Sequence, residues 1–284
     1  MQDEVILSVR DLAVSFHDDD DCREVLHGVN FDLKAGRTLG IVGESGSGKS
    51  VTAMSIMGLL PKPYGVVTKG RILYRDTDLL KLEPSQMYSM RGDRISIIFQ
   101  DPMTALNPVQ TVGRQLNEVL ELHRPELSKS ERKATCLDML KKVRIPLPEA
   151  RLNEYPHNLS GGMRQRVMIA MALACKPDIL ICDEPTTALD VTVQASILGL
   201  MQELQQETGM SMIFITHDLG VVAEICDDVA VMFAGRIVEQ ADVFELFDHP
   251  KHPYTERLLG LIPDIDNPPK QKIDIKPITE AMFR

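Results

Sequence analysis

Cysteine is scarce and unpatterned in this 284-residue chain: Cys22, Cys136, Cys175, Cys182 and Cys226 are scattered, with no C-x-x-C pair among them. An odd, unpatterned set argues against a disulfide framework or a zinc site and fits a reducing compartment. Long apolar runs are missing as well. None approaches the ~18 residues of a spanning helix, and the opening "MQDEVILSVRDL" brings acids early, without the apolar core of a signal peptide. Any work at a membrane would be done as a peripheral guest. Excess basic charge is also absent: 31 Lys and Arg face 41 Asp and Glu, a net charge of −10. This balance argues against nucleic acid or an anionic lipid surface as the main electrostatic partner. Neither a repeat at a solenoid period nor a sustained heptad pattern is present.

What remains has the composition of an ordinary globular protein, 44% hydrophobic and 25% charged, long enough for one large domain with an inserted lobe. Residues 5–16 and 25–33 alternate as half-buried strands, with the acids of 18–21 as a solvated hairpin loop between them. "TLGIV" (38–42) reads as a short buried strand before a glycine-rich turn, and the helical spacing after that turn runs to Pro61. Strands follow at 68–76 and 94–99. From about 111 to 158 the pattern is helical and charged, and is read as a helical subdomain inserted at about 101–160. Helices at 163–175, 191–208 and 219–226 then alternate with strands at 178–182, 211–216 and 228–233. The expected fold is α/β: a mostly parallel covered sheet, an N-terminal antiparallel β subdomain and the helical insertion. The domain is expected over 1–262, with 263–284 as a polar, proline-bearing tail.

"GESGSGKS", Gly43 to Ser50, matches G-x-x-x-x-G-K-[ST] between a predicted strand and a predicted helix. Backbone N–H groups of Ser45, Gly46, Ser47, Gly48 and Lys49 would wrap a β-phosphate, with Gly46 and Gly48 clearing the approach. Lys49 supplies charge to the β- and γ-oxygens, and Ser50 a hydroxyl for Mg²⁺. "ILICDEP" (179–185) then ends four apolar residues in two acids. An acid closing a buried strand lies at the sheet's carboxyl edge, where nucleotides bind in open α/β sheets. Asp183 suits the metal. Glu184, pointing elsewhere, suits a base for the water attacking the γ-phosphate. His217 closes "SMIFIT" and Gln100 closes "RISIIF". Each alone reads as a turn residue after a strand, but three polar residues aimed at one edge are hard to explain by packing. Met163, Met168 and Met171 read as helix packing, and Cys182 as a small core residue.

"NLSGGMRQR" (158–166) places two glycines where a helix starts, a second anion site more than a hundred residues from the first. "LSGGM" resembles the signature of ATP-binding cassette (ABC) ATPases, and the other motifs fall in that family's order. Gly43–Ser50 resembles its Walker A loop, Gln100 its Q-loop, Ile179–Glu184 its Walker B strand, "ALD" (188–190) its D-loop and His217 its H-loop. The resemblance, over roughly 5–260, implies a RecA-like P-loop NTPase. It implies ATP contacts at Phe16 (stacking on adenine), Gly43, Ser45–Ser50 and Val51, catalysis by Glu184 with His217 and Gln100, and Mg²⁺ at Ser50, Gln100 and Asp183. It further implies a head-to-tail dimer in which Ser160, Gly161, Gly162 and Asp190 act on a partner's ATP. Stretches such as "FQDPMTALNPVQTVG" and "HPKHPYTERLL" are similar to ATP-binding subunits of bacterial oligopeptide, dipeptide and nickel importers. That likeness implies a second cassette, identical or related, two integral permeases contacted through Asp101–Val112, an extracytoplasmic binding protein, and a peripheral place on the inner membrane's cytoplasmic face. Peptide is the expected cargo, nickel or another small solute the alternative. A soluble ABC ATPase acting on ribosomes or DNA is the other class. Many members carry an iron–sulfur cysteine cluster after "HPYT"; no cysteine follows Cys226 here, so no cluster is expected.

Overall fold

A computed structural model describes residues 4–18, 21–100, 105–186 and 189–261. The chain opens with a long hairpin, β1 (Val5–Asp18) and β2 (Asp21–Lys34), followed by β3 (Thr38–Val42) and α1 (Lys49–Ile56). Next come β4 (Gly65–Tyr74), β5 (Thr77–Asp78), α2 (Pro84–Met90) and β6 (Ile95–Ile98). The inserted helices are α3 (Val112–His123), α4 (Lys129–Lys142) and α5 (Pro148–Arg151). Then follow α6 (Gly161–Leu173), β7 (Ile179–Asp183), α7 (Val191–Thr208), β8 (Ser211–Thr216), α8 (Leu219–Ile225) and β9 (Asp228–Phe233). The described part ends with β10 (Arg236–Asp242), α9 (Val243–Asp248) and α10 (Pro253–Gly260).

Six strands form one sheet in the order β10-β9-β3-β8-β7-β6, and four form another in the order β2-β1-β4-β5. In the larger sheet β9, β3, β8, β7 and β6 are parallel, and only β10 is antiparallel. Strand parity explains the near-continuous apolar runs. Ile179, Ile181, Ile213 and Ile215 face one core, shared with Leu7, Val9, Leu26 and Phe31 of the antiparallel sheet and with Ala53 and Ile56 of α1. Leu180, Cys182, Met212 and Phe214 face the other, shared with Leu116, Leu140, Val167 and Leu200 of the helices. A strand covered on both faces has no solvent side to mark with polar residues. Cys182, Met168 and Met171 pack into or against this second core, as read from sequence.

The antiparallel sheet differs from expectation in length. Both hairpin strands continue to an Asp18–Asp21 pair, so the acidic loop shrinks to the two positions between them, which lie outside the described residues. Helix α1 stops at Ile56, short of Pro61, because Gly58 turns the chain with φ +61°. β10, α9 and α10 extend the ordered domain beyond the last strand foreseen. Residues 262–284, including the expected tail, lie outside the described residues.

Candidate nucleotide site at the carboxyl edge of the parallel sheet

Strand β3 delivers the chain into the phosphate loop at Gly43, where the backbone passes against β9. A Cβ on Gly43 would stand 2.0 Å from the Met232 carbonyl oxygen, so no larger residue fits. Gly46 is the reverse case, with nothing within 4 Å of where its Cβ would be, leaving the mouth of the loop open. Lys49 is 5% exposed. Its Nζ donates to the carbonyls of Gly43 at 2.8 Å and Glu44 at 3.0 Å. Burial lowers the pKa of this ammonium, opposed by the charges of Glu184 and Asp183. A cation held only by carbonyls at the base of an open loop is available to phosphate oxygens. The Ser47 hydroxyl is buried without a hydrogen-bond partner, while its N–H turns to the Glu44 carbonyl at 3.2 Å.

Three strand ends meet beside the loop. Asp183, last residue of β7 and 7% exposed, accepts from Ser50 Oγ at 3.0 Å. Burial raises the Asp183 pKa, with the Ser50 bond opposing and the Glu184 charge adding to the rise. Glu184 has φ +46°, an uncommon conformation for a residue with a Cβ. Its N–H stays bonded to the Ile215 carbonyl at 2.9 Å, so the turn leaves the backbone tied to β8 while redirecting the side chain. Gln100, after β6, donates from Nε2 to Glu184 Oε2 at 3.0 Å, and His217 Nδ1, after β8, lies 3.3 Å from Oε1. Gln100 and His217, read from the sequence as catalytic residues with Glu184, thus each contact its carboxylate. Gln100 differs from its expected place in one respect: its amide engages Glu184, not the Ser50–Asp183 pair.

Adjacent hydroxyl and carboxylate oxygens on Ser50 and Asp183 suit a small hard cation that keeps water and phosphate as its other ligands. No cluster of three or more His, Cys, Asp or Glu among the described residues offers an all-protein metal cage. The donor set therefore fits Mg²⁺ arriving with a nucleotide.

The second candidate anion site is separate. Ser160 caps α6, its Oγ accepting from the Met163 N–H at 3.3 Å, and Gly161 and Gly162 form the first turn. Asp190 caps α7 by accepting from Val193 N at 2.9 Å. These residues line one cleft of about 520 Å³ with Leu189 and Arg166, and no residue of the phosphate loop belongs to it. A Cβ on Gly162 would fall 2.9 Å from Val193 Cγ1, so glycine here keeps the two helix starts close. Ser160, Gly161, Gly162 and Asp190, read from the sequence as signature and D-loop residues, therefore line the same cleft. Phe16, half-buried on β1, lies beside Gly65, where an added Cβ would come 3.2 Å from its Cε1. Ala188 and residues 101–104 lie outside the described residues.

One contact of the loop was not foreseen. Tyr254 of α10, 1% exposed, accepts from the Glu44 N–H through its hydroxyl at 3.1 Å. In the sequence it stood out only as part of "HPYT".

Comparison with known proteins agrees with this geometry. The ABC transporter family model matches residues 26–187, and the model for the oligopeptide/dipeptide transporter C-terminal region matches 238–283. A probable peptide ABC transporter ATP-binding protein of Sinorhizobium fredii is 56% identical over 261 residues, 92% of this chain and 78% of that one. The dipeptide transport ATP-binding protein DppD of Bacillus subtilis is 56% identical over 263 residues, 93% of this chain and 78% of its own. Among solved structures, a dimeric post-hydrolysis state of the ATP-binding cassette MJ0796 with ADP and Pi superposes with a TM-score of 0.74. It is 28% identical, over 84% of this chain and 98% of that one. With the cassette fold, the phosphate loop and the matched sequence all in agreement, this chain belongs to the ATP-hydrolysing, ATP-binding subunits of the ABC transporter family.

Proposed function

We infer that this chain energises a peptide importer, binding ATP on Gly43–Val51 and hydrolysing it with Glu184 as general base. The observation that carries the chemistry is the convergence of Gln100 and His217 on the two oxygens of the Glu184 carboxylate. A water on the γ-phosphate would give its proton to Glu184, while His217 and Gln100 hold that carboxylate in line. Lys49 would leave its carbonyl partners for the β- and γ-oxygens, and Phe16 would stack on adenine. Mg²⁺, when bound with ATP at Ser50 and Asp183 and reached by Gln100, would neutralise charge on the β- and γ-phosphates.

Turnover would be gated by a second cassette, identical or related, bound head to tail. Ser160, Gly161 and Gly162 form a helix start that attracts the γ-phosphate only while it exists, so ATP would close the dimer and hydrolysis open it. Closure would lever two integral permeases supplied by an extracytoplasmic binding protein. Ala105 and Leu106, the described start of the segment assigned to permease contact, line an apolar cleft of about 390 Å³ with Phe99, Leu122 and Met171. Phe99 and Leu122 are exposed there at 41% and 52%, as an unpartnered docking face would be. No helix among the described residues is long and apolar enough to cross a membrane, which agrees with a peripheral subunit of the cytoplasmic face. Peptide as cargo is supported by the match to the oligopeptide/dipeptide C-terminal region.

Affinity purification from solubilised native membranes, followed by mass spectrometry, tests the assembly. Two permeases and a cassette partner are expected, with peptide-stimulated ATPase once the binding protein is added. Stimulation by nickel chelates alone would replace the cargo. Recovery of ribosomal or DNA-repair proteins without a permease would overturn the transport reading.

A further inference from the structure

The contact between α10 and the phosphate loop closes on a single peptide plane. The Gly43 carbonyl and the Glu44 N–H belong to one amide and point to opposite sides of it. On one side the carbonyl accepts from Lys49 Nζ at 2.8 Å; on the other the N–H donates to the Tyr254 hydroxyl at 3.1 Å. Because the amide is planar, fixing its N–H fixes the direction of its carbonyl. Tyr254 therefore orients one of the two carbonyls that hold Lys49, the other being that of Glu44 at 3.0 Å. It also withdraws the Glu44 N–H from the phosphate mouth, so that the anion nest begins at Ser45.

The tyrosine is itself held from outside the site. Its ring packs on Phe233 at the end of β9, with centroids 4.4 Å apart, and burial raises the pKa of its hydroxyl, keeping it neutral. Its N–H donates to His252 Nδ1 at 3.1 Å. The His252 and Lys251 N–H groups in turn donate to the Glu239 carboxylate of β10 at 3.0 and 2.8 Å. Burial works against the charge of Glu239, yet with these two amides donating to it its pKa is lowered from the usual carboxylate value. An unbroken set of bonds thus runs from β10 through the α10 start to the phosphate loop.

We propose that Tyr254 is a positioning residue for nucleotide binding, orienting the Gly43–Glu44 peptide and through it Lys49, and that Glu239 anchors it. This rests on the assignment of Lys49 to the β- and γ-phosphates. Tyr254→Phe keeps the buried ring and removes only the acceptor. In the full chain, equilibrium binding of MgATP and MgADP is expected to weaken about two- to tenfold, the range that one net hydrogen bond supports. AMP has no β-phosphate, and its affinity is expected to stay within about twofold. A merely structural tyrosine would weaken all three nucleotides together, and that result, or unchanged ATP and ADP binding, overturns the proposal. If Tyr254→Phe does not fold, Glu239→Gln is the second variant, expected to show the same selectivity for ATP and ADP over AMP; its absence counts against the proposal equally. Lys49→Ala separates the two layers. ATP binding unaffected in that variant overturns the assignment of Lys49 and the proposal with it. Strong loss there, with no selective effect of Tyr254→Phe, overturns the positioning role alone.

Discussion

His217 Nδ1 and Gln100 Nε2 grip opposite oxygens of Glu184, at 3.3 and 3.0 Å, from the ends of two strands that flank β7. With the positive φ of Glu184, this aims the carboxylate away from Asp183, its sequence neighbour. Two adjacent acids thereby acquire different surroundings. Asp183 is buried on Ser50, while Glu184 meets the Gln100 amide and the His217 ring.

Glu184→Gln keeps the shape, and its amide oxygen can still accept from Gln100, but it removes the base. Hydrolysis is expected to fall by about 10²–10⁴-fold with ATP binding retained. If the head-to-tail dimer forms, it should persist with unhydrolysed ATP. Phosphate release and ATP-dependent light scattering measure the two effects, and unchanged turnover would remove Glu184 from its role.

His217→Ala keeps the Glu184 carboxylate but removes its contact with the imidazole. Misplacement of a catalytic group by about 1 Å costs on the order of 10²-fold, so kcat is expected to drop by roughly that factor with KM for ATP little changed. A large rise in KM with kcat preserved would instead make His217 a nucleotide-binding residue.

Gly162→Ala tests action in trans. The added methyl would meet the Val193 side chain at 2.9 Å and crowd the α6 and α7 starts, in a cleft that no phosphate-loop residue lines. The full chain is expected to bind ATP with unchanged affinity yet to lose ATP-dependent dimerisation and most hydrolysis. Weakened binding to the isolated chain would show that the signature acts on its own nucleotide.

Much of this arrangement was legible because buried parallel strands advertise themselves. "RISIIF", "ILIC" and "SMIFIT" are dominated by apolar residues, so Gln100, Asp183 and His217 stand out as the polar residues that close them. The C-terminal elements gave no such signal. β10 reads "RIVEQAD", mostly half-exposed as the antiparallel edge, and α9 and α10 are only 6 and 8 residues long, too short for a helical period to register. Their contribution to the site, the Tyr254–Glu44 contact, joins residues 210 positions apart. It exists because the sheet order sets β9 beside β3, which no local pattern encodes. The length of the β1–β2 hairpin was hidden for a different reason: acids such as Asp18 and Asp21 favour a loop locally, and only the long register behind them carries the pairing outward.

Asp183 gives the last prediction, because its function opposes its folding. Burial raises its pKa above the ordinary carboxylate value of 3.8. Below that value the carboxyl is neutral in both folded and unfolded chains and carries no penalty. As pH rises through the folded-state pKa the native protein must hold a buried charge that the unfolded chain holds in water, and stability falls. Asp183→Asn removes the charge while its amide oxygen still accepts from Ser50. In nucleotide-free buffer with a chelator at pH 7, the variant is expected to melt at a higher temperature than the wild type. The gap should narrow steadily as the pH is lowered toward 4. Adding Mg²⁺ and ATP should reverse the order, since only the wild type retains the carboxylate that holds the metal and gains its binding energy. Calorimetric melts across pH, with and without MgATP, read both effects; a variant that melts lower at pH 7 would mean that the Asp183 charge stabilises the fold.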